Sequence, residues 1–200
     1  MSETDKSLRD RILEISRHLL FDEGYQTLSM RKIAKLAGVS ATSIYLYFEN
    51  KDHLLHTIIE ESVEELSQAV EKSVDTETDI IRKFEAIIHG YITFAIENPE
   101  KYQVIYMIRP NKIARYPKEK FRKTRRCYEL LVKIIEEGVS KGVMDVGKPV
   151  MAAYSIWAQL HGIVSVVLNQ RLDSRIDRNQ FITESVEHVV QGFLIRTTVL

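Results

Sequence analysis

The chain's four prolines stand at positions 99, 110, 117 and 149, so nearly the whole first half, residues 1–98, has none, and that half also lacks any Asn-Gly or Asp-Gly dipeptide. Two-residue hairpins draw on such dipeptides, and helix interiors exclude proline, so this half reads as helices joined by short turns. Apolar Leu8, Ile12, Ile15, Leu19 and Leu20 fall on one helical stripe that stops at Asp22-Glu23-Gly24, where glycine can take the left-handed C′ position. Helical periods recur at about 51–74, 79–98, 101–109, 119–140, 149–169 and 178–198. Pro99 stops one helix and restarts the next, Gly138 and Gly142 punctuate a helix end, and Pro149 suits a first helical turn. The β-branched run Ile163-Val164-Ser165-Val166-Val167-Leu168 could stand as a buried strand, but with no partner strand it is read as helix. The expected fold class is all-α.

Two hundred residues with 44% hydrophobic and 28% charged side chains describe an ordinary globular chain of one or two domains. The N-terminus is polar, and no apolar run is read as approaching the ~18 residues that span a bilayer, so no membrane partner and a cytoplasmic location are expected. A lone cysteine, Cys127, can form neither an intrachain disulfide nor a multi-thiolate site and reads as a small core residue. Formal net charge is zero, yet acids dominate from Glu60 to Asp79 and bases from Lys112 to Arg126. Such runs are usually solvated helix faces that can pair with each other; a second nucleic-acid surface on the basic run is the alternative.

Residues 28–48 carry the most informative pattern. Ser29 and Ser40 are good N-caps, and in each case the preceding apolar residue can staple to the fourth helical position, Leu28 to Ile33 and Val39 to Ile44. Gly38 supplies the turn between the two helices, and small Ala34 lets the second cross closely over the first. The result is a helix-turn-helix. With Ile44 and Phe48 turned to the core, Ala41, Thr42, Ser43 and Leu46 are left near a groove, where hydroxyls can bond bases and methyl groups can touch thymine. Arg31 sits in the first turn of the preceding helix, and Tyr45, Tyr47 and Lys51 add phosphate donors on the other side. Arg31, Lys32, Lys35 and Lys51 against Glu49 make this segment basic within a neutral chain. For Tyr45 and Tyr47 a second role is open, packing between the first and fourth helices.

Gly24-Tyr25-Gln26-Thr27-Leu28-Ser29-Met30-Arg31-Lys32-Ile33-Ala34, then Ala37-Gly38-Val39-Ser40, Ile44-Tyr45, Tyr47-Phe48 and Asn50-Lys51-Asp52-His53-Leu54-Leu55 resemble the TetR family of bacterial transcription regulators. The resemblance implies a three-helix DNA-binding domain over residues 1–50 and a larger helical effector-binding and dimerisation domain over 51–200. It further implies phosphate contacts from Ser29, Tyr45, Tyr47 and Lys51, a groove-edge contact from Arg31, and base readout by Thr42 and Ser43. Leu46 departs from the aromatic or histidine often found there, so one backbone contact of the family is lost or becomes apolar. Trp157-Ala158-Gln159-Leu160-His161-Gly162 looks like a Trp…His-Gly signature of one subgroup of these C-terminal domains.

Tyr154, Trp157 and His161 share one helical face and could line an effector cavity beside Tyr91, Phe94, Tyr102, Tyr106 and Met107; core aromatics and a hydrogen-bonded histidine are the alternative. The last two helices are apolar on more than one side, which predicts a homodimer joined through a four-helix bundle. Palindromic operator DNA and a small apolar or amphipathic molecule are the expected partners of a ligand-responsive repressor. Helix-borne Glu-x-x-His, His-Glu-x-x-His and both phosphate-binding glycine motifs are absent from the sequence. His53 and His56 lie three apart but lack a nearby third ligand. Neither catalytic residues, nor a metal, nor a cofactor is expected. A helical enzyme, or a small-molecule-binding protein that does not bind an operator, is the competing reading.

Overall fold

The computed structural model describes residues 7–106 and 125–195. Among them the chain is helical, with α1 (Leu8–Glu23), α2 (Met30–Ala37), α3 (Ala41–Tyr45), α4 (Lys51–Asp75), α5 (Ile80–Glu97), α6 (Pro99–Tyr106), α7 (Arg126–Ser140), α8 (Pro149–Leu168) and α9 (Arg178–Gln191). The described residues form no strand, only an isolated antiparallel bridge between Met144 and Leu194. They divide into two compact units: 7–64 with 98–106, and 65–97 with 125–195. The division falls inside α4, not at residue 50, because α4 is one unbroken helix whose Leu54, Leu55 and Ile58 sink into the core of the first unit.

That core gathers Ile12 and Leu13 of α1, Ile33 and Ala34 of α2, Ile44 of α3, Phe48, and the N-terminal half of α4. It also takes in Val104 of α6, a helix that packs on α1. Local chemistry sets the helix ends. Gly24 closes α1 with φ 78° and ψ 171°, a mirror-extended conformation open to glycine and different from the left-handed one expected. Just beyond it the Thr27 hydroxyl donates to the carbonyls of Glu23 and Gly24 at 3.1 and 2.9 Å. Gly38, at φ 67° and ψ 31°, is truly left-handed. The Val39 N–H then reaches the Ala34 carbonyl at 3.0 Å, the six-to-one bond of a Schellman turn.

In the second unit α5 packs against α7, α8 and α9, α7 against α8, and α8 against α9. The stretch 163–168 is helical, as the end of α8. This helix corrects one sequence reading: residues 149–168 contain no Asp, Glu, Lys or Arg, so α8 is long and apolar enough to cross a membrane by length and composition. In this fold it buries Ala152, Ala153, Ile156, Leu160, Ile163, Val164 and Val167 against its neighbours while Met151 and Tyr154 stay exposed. The last helix is shorter than its periodicity predicts. Beyond Gln191 the chain turns so that the Ile195 N–H donates to the Val143 carbonyl at 2.9 Å, which removes Phe193 and Leu194 from the helical stripe.

Of the basic run, only Arg125 and Arg126 lie within the described residues. Arg126 forms a two-point ion pair with Glu71, its Nε 2.8 Å from Oε1, which joins a member of the basic run to a member of the acidic one. Cys127 is half-buried, and its thiol donates to the Ser67 hydroxyl at 3.4 Å. Burial pushes that thiol up from its ordinary range, as suits an unreactive packing residue.

Candidate nucleic-acid interface

Both short helices of the helix-turn-helix begin on a serine whose hydroxyl accepts a backbone N–H. Ser29 accepts from Lys32 at 3.2 Å, and Ser40 accepts from Ser43 at 3.1 Å. The hydroxyls of Ser40 and Ser43 are also 2.8 Å apart and share a hydrogen bond. The apolar residues before each cap are drawn inward: Leu28 and Ile33 are buried, and Val39 packs on the core that holds Ile44. Burial of Ile44 and Phe48 fixes the rotation of α3. Thr42, Tyr45, Leu46 and Tyr47 are then left exposed, with Ala41 and Ser43 half-exposed. Tyr45 and Tyr47 are 53% and 42% exposed, which places neither ring in an inter-helix seam. Arg31 and Lys35 of α2 are exposed as well, whereas the Lys32 ammonium is held by the Glu23 carboxylate.

Lys51 is placed differently from a simple phosphate donor. Its ammonium donates to the Tyr25 carbonyl and lies 3.8 Å from the centroid of the Tyr25 ring. Partial burial holds its pKa below the ordinary lysine value. The Tyr25 hydroxyl in turn donates to the Asp52 carboxylate. Burial, this hydrogen bond and the carboxylate's charge push the Tyr25 phenol up to about 12. Tyr25, Lys51 and Asp52 thus clip the α1–α2 turn to the start of α4, an arrangement not read from the sequence. Asn50 caps α4 by accepting the His53 N–H at 2.8 Å, while His53 Nδ1 accepts the Glu49 N–H at 3.2 Å. An Asn followed three residues later by a side-chain acceptor was the available signal, with imidazole standing where a capping box has Glu or Gln. His53 is therefore engaged in capping, and no group of three potential metal ligands occurs among the described residues.

The phenol of Tyr25 must be protonated to donate, so its contribution to stability is full below about pH 10 and lost as pH rises through about 12. A spectrophotometric titration is expected to show a tyrosine ionising near 12 that is absent from Tyr25→Phe. That variant should lose about 0.5–1.5 kcal/mol at neutral pH, read as a lower melting temperature.

The aromatic residues considered for effector binding are distributed over both compact units. Tyr102 and Tyr106, 4.9 Å apart between ring centroids, belong to the first unit; Tyr91 and Phe94 are buried in α5 of the second. Met107 lies outside the described residues. On α8, Tyr154 meets Trp157 edge-on at 5.7 Å, and Trp157 stacks on His161 at 5.4 Å. Tyr128 of α7 extends this ladder at 5.3 Å from Tyr154 and donates its hydroxyl to the Val150 carbonyl at 2.7 Å. Burial lowers the His161 pKa, favouring the neutral ring. A separate cleft of about 390 Å³ in the first unit includes Asp10, Glu14, Arg17, Glu61, Glu100 and Lys101. It is strongly charged, with Arg17 paired to Glu61 at 2.7 Å, and so does not suit an apolar ligand.

Comparison with known proteins addresses the whole arrangement. Residues 12–58 match the family described as "Bacterial regulatory proteins, tetR family", and residues 84–192 match "Tetracyclin repressor-like, C-terminal domain". The chain is 26% identical over 138 residues to the HTH-type transcriptional repressor KstR2 of Mycolicibacterium smegmatis, covering 68% of this chain and 67% of that protein. It is 29% identical over 101 residues to the nucleoid occlusion factor SlmA of Mannheimia succiniciproducens, covering 50% of this chain and 47% of the relative, so it spans about half that relative's length. A bacterial regulatory protein in the tetR family from Rhodococcus RHA1 shares the fold with a TM-score of 0.78 at 17% identity, over 94% of this chain and 98% of that one. With more than half its length matched by the C-terminal family and its capped helix pair inside the N-terminal one, this chain belongs to the tetR family of bacterial regulatory proteins.

Proposed function

We propose that this protein is a transcriptional repressor that binds near-palindromic operator DNA as a homodimer and is released by a small apolar or amphipathic effector. The observation that carries the reading is the doubly capped helix pair, which exposes Thr42, Tyr45, Leu46 and Tyr47 beside Arg31 and Lys35. Short side chains on α3 suit a major groove, and flanking donors suit its phosphates. A phosphate contact from Lys51 would add to the bond its ammonium makes to the Tyr25 carbonyl and to its place over the Tyr25 ring, since an ammonium carries three donors. The exposed Met151 and Tyr154 on α8 support pairing of two copies across a two-fold axis, which would set recognition helices about 34–36 Å apart or a multiple of that spacing. The cytoplasm, where the operator lies, is the proposed location, and the role is regulatory with no catalytic residue assigned.

The Trp157–His161 stack on α8 offers an apolar wall to an effector, and α4, which runs through both compact units, is the element whose tilt would carry the response. Coupling of this kind amounts to about 5–150-fold in DNA affinity and must appear reciprocally as weaker effector binding to the operator complex. The primary test is a mobility-shift titration of purified protein on the DNA beside its own gene at several salt concentrations. Arg31→Ala is expected to weaken binding to all sequences and lower the salt slope by about one. Thr42→Ala should instead relax preference at particular bases. Absence of any salt-dependent shift would sink the reading and favour a ligand-binding protein without an operator.

A further inference from the structure

We infer that Leu46, together with Thr42, reads the 5-methyl groups of thymines in the major groove, so that each operator half-site carries thymine opposite these two side chains. The inference rests on the DNA-binding reading above and adds the class of base that is read. Leu46 is 79% exposed at the C-terminal end of α3, more than any other large apolar side chain among the described residues. It lies four residues after exposed Thr42, so the two share one helical face while Ile44 and Phe48 hold the opposite face in the core.

What α3 lacks is equally informative. Bidentate readout of guanine takes arginine or lysine, and that of adenine takes asparagine or glutamine, yet residues 41–46 contain none of these. Ser43, a further hydroxyl on the helix, is engaged with Ser40 at 2.8 Å. The groups left to meet base edges are the methyl and hydroxyl of Thr42, the methyl of Ala41 and the isobutyl group of Leu46. In the major groove the apolar feature they can bury is the thymine methyl. Arg31 and Lys35 on α2 supply the positive charge that draws this apolar face onto an anionic duplex.

The test selects preferred sites from random duplexes with the full-length protein and then replaces individual thymines by deoxyuridine, which removes the methyl alone. Wild-type binding is expected to weaken about fourfold per recognised methyl, the equilibrium equivalent of one buried methyl group. Leu46→Ala should bind thymine and uracil duplexes alike at one position, with unchanged melting temperature because the side chain is exposed, and Leu46→Met should restore the preference. Selected sites without thymine, or wild-type protein indifferent to uracil, would overturn the inference while salt-dependent binding left the DNA-binding reading standing. Failure to select or bind any DNA would overturn both.

Discussion

Phe48→Ala is expected to open the first unit and lower the melting temperature by roughly 6–20 °C. The ring is 1% exposed, meets His53 edge-on at 5.9 Å and has the Arg9 guanidinium 5.9 Å from its centroid. Truncating a buried phenylalanine costs about 3–5 kcal/mol, because the transfer free energy is lost and a cavity remains. At about 2–4 °C per kcal/mol for a chain of this size, that cost gives the stated range. Position 48 joins α3 to α4, so the recognition helix loses the side chain that sets its rotation, and DNA binding should fall with stability. Thermal melting by circular dichroism beside a mobility shift checks this. A melting temperature within a degree of wild type would show that the core of the first unit does not depend on Phe48.

Ala158→Glu is expected to split the proposed dimer. Ala158 lies with Met151, Tyr154 and Gly162 along the exposed side of α8, where a carboxylate is harmless to an isolated protomer. Across a two-fold interface the same carboxylate appears twice and must be buried without a partner. An uncompensated buried charge costs about 3–5 kcal/mol, which weakens association by two to three orders of magnitude or more. Sedimentation at micromolar concentration should therefore show wild-type dimer and variant monomer, with unchanged helicity. Operator affinity should fall as well, because the two half-sites are then bound independently. A variant that sediments as wild type would remove this face of α8 from the interface.

The first helices were legible because their signals are local. Ser29 and Ser40 each stand three residues before the N–H they accept, and Gly38 sits where the turn requires a left-handed residue. The rotation of α3 also followed from sequence, since Ile44 and Phe48 are the residues of that segment suited to a core. The engagement of Lys51 was not legible. Nothing in its neighbours marks a contact with the Tyr25 carbonyl, 26 residues away, and the same lysine chemistry serves a phosphate equally well. The end of α9 was misread for a similar reason: Phe193 and Leu194 continue the apolar period, but pairing of the 194–195 strand-like turn with 143–144 draws the chain away.

By itself the sequence determined the helical class, the two capped helices and their turn, and the family pattern over residues 24–55, because caps, staples and glycine conformations act within a few residues. Only the tertiary structure decided which distant groups meet. It paired Arg126 with Glu71 across 55 residues, brought Val104 of α6 into the core of the first unit, and assigned Tyr102 to the first unit and Tyr91 to the second. In each of these cases residues of the same type stand elsewhere in the chain, so no local signal marks which one is used. The choice among them is made by helix packing, whose geometry depends on the whole set of buried side chains and not on any short segment.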